Sequence, residues 1–553
     1  MNNTFTKTAI AVMTLVPNLV LAANLNLDGQ SLTLEQVVSA ATGDVHVSLT
    51  KAAQQRVQQS HQLLLEAGRQ GVAIYGLTVG VGKSKDTKIF GDDGRLTPSA
   101  IEMSQLFNQK MLLTHSAATG AAMPNDVVRA AMVIRLNQIA TGHVGVHPDV
   151  VRIYQEFINH DIIPVIPEDG SVGAADISLA SHIGSAMMGH WEVHYQGQRM
   201  PAVKALQQAG IKPLVPYAKD SLSILSTNSV SAARLALALA QSKNLIEFSP
   251  QLVSFSLEAL NGNISPLLPH SIDARPMPFA KQVAEQILVN LDGSYLFEQD
   301  NKRAIQDPLS FRQAHWPIAS AYAGFESLTA LLELHINSSD DNPVISVGAT
   351  AGDYGQHSQV GQYFIQGDNI SGAINSVANF DMTPIAANLE GYLLNVAQLG
   401  KFSSHRSLKL FDGYFTQLPR GLVAPENDNG QGFYAMPNGH VALVAKLAHT
   451  VTPASFYGTE TQSGIEDTYT NLALLAANLG KANDLITRIY AFELMQSAQA
   501  LDIRSRHFQQ QASTTSQMLL NDYRKMVPYY DSDRLISSEL QQTIDFIEQR
   551  ISR

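Results

Sequence analysis

The sequence predicts a mainly α-helical protein, with a mixed N-terminal part followed by a long helix bundle. Three observations carry this expectation. Apolar residues recur at spacings of three and four, as in Leu472, Leu475, Leu479, Ala482, Ile486 and Ile489, which is the pattern of a buried helical stripe. Strand-like stretches are few, with residues 191–195 and 344–347 as the candidates. The composition is that of a folded chain: 553 residues, 45% hydrophobic and 15% charged. That length suits two or three domains, or one large helical one.

Along the chain, residues 1–22 read as an export signal. Met1 to Thr6 is short and polar, Lys7 adds a positive charge, and Thr8 to Leu21 is almost wholly apolar, broken at Pro17-Asn18. Val20-Leu21-Ala22 places small or neutral residues before a cleavage point after Ala22 or Ala23. The competing reading is a buried N-terminal helix; the apolar run is too short to span a bilayer comfortably. The expectation is a periplasmic or secreted protein with no membrane span in the mature chain. Residues 48–68 read as an amphipathic helix. Residues 368–399 read as a long helix bearing small residues for close packing. The stripe from Leu472 predicts a helix that residues 492–501 extend. Gly, Pro and Asn clusters mark loops at 75–83, 164–173 and 420–439. Ser249-Pro250 and residues 261–269 interrupt the helical pattern, so a boundary is placed there: residues 23–250 form an N-terminal domain and 251–553 a helix-bundle domain.

Composition also excludes. Lys and Arg number 37 against 48 Asp and Glu, a net charge of −11, and no long basic run occurs. General nucleic-acid binding is therefore not expected. The absence of cysteine removes disulfides, thiolate metal sites and a cysteine nucleophile. The 17 histidines show no ligand spacing, and His182 and His190 read as surface or hydrogen-bonded core residues, so no metal is expected. Gly80-Val81-Gly82-Lys83-Ser84 looks like the tail of a phosphate-binding loop, but Leu77 stands where that motif needs glycine. No nucleophile elbow or dinucleotide fingerprint is present.

Five separated segments, in order, resemble the aromatic amino acid ammonia-lyases. Tyr75-Gly76-Leu77-Thr78-Val79-Gly80-Val81-Gly82 resembles that family's Y-G-x-N-T-G-F-G loop, which carries a catalytic tyrosine. Arg135-Leu136-Asn137 through His147-Pro148 is similar to its R-x-N-x-x-x-x-G-x-S-G-V-x-P segment. Gly170-Ser171-Val172-Gly173-Ala174 resembles the start of its G-S-V-G-A-S-G-D-L signature. Residues 306–312 resemble Q-D-x-Y-S-x-R, and Asp341-Asn342-Pro343 matches D-N-P. The resemblance implies a helical fold, a homotetramer whose sites draw loops from several subunits, and a small-molecule substrate. The implied reaction removes an amine from the α carbon and a proton from the β carbon. The family's electrophile is a methylideneimidazolone ring made from Ala-Ser-Gly.

The chain departs from the pattern at that tripeptide. It reads Ala174-Ala175-Asp176, and aligning Asp176 and His182 with the family's D-L-A-P-L-A-H leaves two residues where three are needed. The serine whose hydroxyl is lost is absent, so no prosthetic group is expected. Ser226 stands where the family has asparagine, and Leu309 replaces a tyrosine. Lys446 takes the place of a glutamate or glutamine near the substrate amine, and Lys401 that of a small or polar residue.

Without the ring, elimination needs a substrate that carries its own leaving group. A trimethylammonium cannot be deprotonated and departs as neutral trimethylamine. In this respect the chain resembles a branch of the family that eliminates trimethylamine from ergothioneine, a histidine betaine, to give thiourocanate. The implied roles follow. Tyr75 is the general base, its phenol lowered from about 10 by nearby lysines. Arg312 clamps the carboxylate. Lys446 and Lys401 stabilise charge on the sulfur or imidazole. Gln306 and Ser226 position the substrate, with His115 and Ser116 as further binding candidates. Taken singly, each lysine is an ordinary solvated helix residue. Two alternatives stay open: a histidine ammonia-lyase-like enzyme converting histidine to urocanate, and a non-catalytic periplasmic homologue.

Overall fold

The computed structural model describes residues 23–43, 45–90, 95–97 and 100–552. The export-signal reading falls on residues 1–22 and lies outside them.

The stripe that begins at Leu472 builds the centre of the molecule. The Leu472–Ile503 helix packs against the Ser229–Leu260 and Thr383–Phe411 helices, with His315–Ile336 and Met436–Thr450 completing the bundle. Leu472, Leu475, Leu479, Ala482, Ile486 and Ile489 have no solvent exposure, as their spacing predicts. From Tyr490 to Leu501 every side chain is buried, so this half of the helix is enclosed on all sides. Gly400 lets the helices approach closely: a Cβ there would lie 2.7 Å from the Leu447 side chain.

The N-terminal part is mixed, as expected. The Lys51–Arg69 helix matches the amphipathic stretch, and the Glu192–Tyr195 strand pairs with Ile163–Pro164 and Gln198–Pro201. The Asn125–Ala140 helix is buried from Val127 onward, including Arg129, Arg135, Asn137 and Gln138. His182 is a core histidine: its Nδ1 lies 2.7 Å from the Ser178 carbonyl and its ring meets the edge of Trp191. Among the described residues, no group of histidines and carboxylates is placed to hold a metal.

Three expectations are corrected. The 368–399 stretch is not one helix. Ser371–Asn375 forms a strand between Val344–Val347 and Phe364–Gln366, and a helix begins only at Thr383, with Pro384 in its first turn. Gly372 permits the strand, because a Cβ there would sit 2.3 Å from the Ser346 carbonyl oxygen. Ser249-Pro250 does not end a helix either. Ser229–Leu260 runs through position 250 and stops at Asn261, whose left-handed φ of 65° makes the cap. Pro250 itself is buried, and packing of the helix around it holds the helix through its proline. Finally, residues 220–260 contain an 18-residue window apolar enough by composition to cross a membrane, where the sequence pattern shows none; 89% of that window is buried inside the protein, as befits a core helix.

Candidate active site

Tyr75 sits on a turn fixed by its neighbours. The Thr78 hydroxyl accepts from the Ile74 N–H (2.8 Å) and donates to the Val72 carbonyl (2.6 Å). Gly76 has φ 73°, and a Cβ there would meet Leu222 at 2.2 Å, so the turn closes on the Asp220–Leu225 helix only with glycine. The Tyr75 Oη accepts from the Gly82 N–H at 2.9 Å. Burial pushes the phenol up, the Gly82 N–H opposes that, and the Glu466 carboxylate raises it further. Among the described residues of one chain, the charged group acting on the phenol is an acid and not the lysine expected from the sequence.

The 170–176 segment is tied to the residues that follow the Asp220–Leu225 helix. The buried Asp176 carboxylate accepts from the Ser171 hydroxyl (2.7 Å), the Ser231 N–H (2.7 Å) and the Ser231 hydroxyl (2.6 Å). Its own N–H donates to the Thr227 carbonyl at 2.6 Å, and Asn471 N–H donates to the Val172 carbonyl at 2.7 Å. Burial raises the Asp176 pKa against these hydrogen bonds.

Ser226 is buried at the end of the Asp220–Leu225 helix, and that helix is clamped by buried charges. Arg135 pairs with Asp340 (2.9 Å) and Asp341 (3.5 Å), and Lys219 with Asp341 (2.7 Å). Arg135 also donates to the Ser223 carbonyl, and Asp340 accepts from the Asn228 N–H at 2.7 Å. The R-x-N and D-N-P segments thus meet to hold Ser226 and Asn228 in place. Asn228 is fully buried, and its Oδ1 has no partner among the described residues.

His115 and Ser116 close the Ile101–His115 helix and spend polar atoms on its carbonyls. His115 Nδ1 lies 2.8 Å from the Met111 carbonyl, and the Ser116 hydroxyl 2.9 Å from that of Leu112 and 2.8 Å from the Ser185 hydroxyl. They adjoin the signature segment, since Gly170 packs against Ala118.

The remaining candidates lie elsewhere. Gln306 and Arg312 line a cavity of about 630 Å³ with Arg303, Asp307 and Lys409. The Arg312 Nε is buried with no hydrogen-bond partner among the described residues. Lys401 lines an adjoining cavity of about 360 Å³ that shares Pro308, Leu309 and Lys409 with the first. Lys446 is exposed and lines a third, of about 400 Å³, with His449, Lys481, Asp484 and Arg488. Tyr75, Ser226, His115 and Ser116 line none of these. Within one chain the candidates therefore do not line a single one of these cavities.

The sequence model of the family described as aromatic amino acid lyase matches residues 32–525. The chain belongs to the aromatic amino acid lyase family. As such it is a carbon–nitrogen lyase. The histidine ammonia-lyase of Myxococcus xanthus (strain DK1622) is 28% identical over 528 residues, which cover 95% of this chain and 96% of that one. Ergothionase from Treponema denticola, solved in complex with desmethyl-ergothioneine sulfonic acid, is 30% identical with a TM-score of 0.85, over 95% of this chain and 99% of that one. Histidine ammonia-lyase from Trypanosoma cruzi, at 21% identity and a TM-score of 0.80 over 95% and 93% of the two chains, shares the fold.

Membership in the aromatic amino acid lyases corrects the expectation of no prosthetic group. The histidine ammonia-lyases of this family use a methylideneimidazolone formed from their own Ala-Ser-Gly, and the family match points to that group. The residues at the corresponding place do not fit its formation from that tripeptide. Ala174-Ala175-Asp176 contains no serine, and the Asp176 carboxylate and N–H are engaged by Ser171, Ser231 and Thr227. No step below is routed through the group.

Sequence reasoning missed Asn228 and Glu466. Asn228 lies two residues beyond Ser226 in a segment already singled out, so a search for a displaced amide would have found it. Glu466 lies in an aperiodic loop, and no sequence signal places that loop on the Tyr75 turn.

Proposed function

We propose that this lyase eliminates trimethylamine from ergothioneine to give thiourocanate. The observation that carries the reading is the arginine of the cavity it shares with Gln306. Arg312 presents a buried, unpartnered Nε where a substrate carboxylate would lie, in a chain that resembles an ergothionase along almost its whole length. Lysines at 446 and 401, where an amine-accepting acid or a small residue is the pattern, suit a thioimidazole whose ring gains electron density.

Tyr75, as phenolate, takes the β proton. The Cα–N bond breaks, its electron pair leaves on trimethylamine, and the carbon–carbon double bond forms. Arg312 and Gln306 fix the carboxylate end. Lys446 and Lys401 stabilise the ring, and Ser226, His115 and Ser116 shape the wall beside Tyr75. The separation of these residues within one chain supports a homotetramer in which each site combines faces of several copies. Export through residues 1–22 places the reaction outside the cytoplasm, which cell fractionation tests.

Histidine as substrate is the second reading, favoured by the histidine ammonia-lyase relatives. Incubation with ergothioneine and with L-histidine separately, identifying the released amine, decides between them. Trimethylamine from ergothioneine alone is expected; ammonia from histidine alone would overturn the proposal.

A further inference from the structure

We propose that Glu466 is a specificity-determining residue that receives the substrate's cationic head beside Tyr75. The inference deepens the function proposed above and rests on Tyr75 lying at the reacting carbon.

The turn at 461–466 is closed on itself. Thr461 N–H donates to the Glu466 carbonyl at 2.7 Å, and Glu466 N–H returns a bond to the Thr461 carbonyl at 3.3 Å. Gln462, Ser463 and Gly464 all have positive φ between these ends, so the turn is tight. It sits on the tyrosine loop: a Cβ at Gly82 would lie 3.2 Å from Gln462 Oε1, and Gly82 is the residue whose N–H holds the Tyr75 oxygen. The Glu466 carboxylate is half-buried and fixed through one oxygen, which accepts from the Thr461 hydroxyl at 2.8 Å. Its other oxygen has no hydrogen-bond partner among the described residues.

A carboxylate held next to the base has a clear use for one class of substrate. A quaternary ammonium has no N–H to donate, so it is recognised by charge and not by directed hydrogen bonds. A single carboxylate with an open oxygen, half removed from water, supplies that charge. Asp220 and Lys219, on the helix beneath Gly76, are committed to His147 and Tyr217 and to Asp341, which leaves Glu466 as the acid that acts on Tyr75.

The test separates binding from turnover. Calorimetric titration of the full-length assembled protein uses two probes: ergothioneine, which carries the cation, and thiourocanate, which does not. Glu466→Gln should weaken ergothioneine at least about tenfold, the scale of losing one partly desolvated charge contact, and leave thiourocanate unchanged. Asp467→Asn, which removes the exposed carboxylate next in the chain, should change neither. Equal affinity of wild type and Glu466→Gln for ergothioneine would overturn the inference. So would an equal loss for both probes, which marks a structural role, or no binding of ergothioneine to the wild type. If ergothioneine binds through Glu466 but no trimethylamine is released, the proposed reaction fails while this inference stands.

Discussion

The Tyr75 region and the cationic clefts of the bundle are built on opposite plans. In the Tyr75 region the buried charges are answered inside the chain, Asp176 by two serines, Asp340 and Asp341 by Arg135 and Lys219, and the phenol by Gly82, while Asn228 Oδ1 and one Glu466 oxygen stay open. In the clefts, cations stand open. Arg312 keeps a buried nitrogen unpaired, and Lys446 and Lys401 are exposed without an ion pair among the described residues. One region is a finished scaffold that holds a base rigidly. On the function proposed above, the other is half of a site, whose counter-charges come from substrate and from another copy. Precise proton removal needs the first plan, and recognition of an anionic, electron-rich substrate needs the second.

The largest expected effect is at the finished region. Tyr75→Phe should lower kcat by about 10²–10⁴, the ordinary worth of a positioned general base, with substrate affinity little changed. Turnover within a few-fold of wild type would remove Tyr75 from the reaction. In the open region, Arg312→Ala should act mainly on KM, because the carboxylate is held in both ground and transition states. A pure loss of kcat would place Arg312 elsewhere in the mechanism.

The scaffold itself is the next way to sharpen the contrast. Asp341→Ala leaves Lys219 buried and unpaired, and should cost about 3–5 kcal/mol by denaturant unfolding. Removing the exposed Lys401 side chain should change stability by no more than about 0.5 kcal/mol. Equal losses would mean that the two regions are not built differently.

The smallest effect is in pH dependence. Burial holds the His61 imidazole down to about 4, from 6.5. The unfolded chain takes up that proton first as pH falls, so the stability is full above about 6.5 and is lost progressively down to 4. His61→Gln should remove up to roughly 3 kcal/mol of that acid loss. Asp220 works in the opposite sense. Burial raises it to about 7, so its contribution is lost as pH rises through that value, and unfolding curves of the two variants should bend in opposite directions.

The comparison also explains what the sequence could disclose. The bundle was legible because Leu472 to Ile489 carries its own period, and Tyr75, Arg312 and Gln306 stand out as candidates because each lies within a motif. Pro250 misled, because local propensity says break while the packing of a largely buried helix keeps it intact. Residues 371–375 misled because their strand exists only through pairing with 344–347 and 364–366. The electrostatics of Tyr75 were not legible at all. They are set first by burial, then by the Gly82 N–H, and last by a loop nearly 400 residues away whose residues follow no period.

The central claim is that the two regions complete one site between copies of the chain. It is tested most directly by complementation. Tyr75→Phe and Arg312→Ala chains would be co-expressed with different tags, purified through both, and assayed at a substrate concentration below the raised KM, where each is impaired alone. Recovered trimethylamine release from ergothioneine in the mixed assembly is the predicted result. Mixed assemblies as inactive as either parent would contradict it.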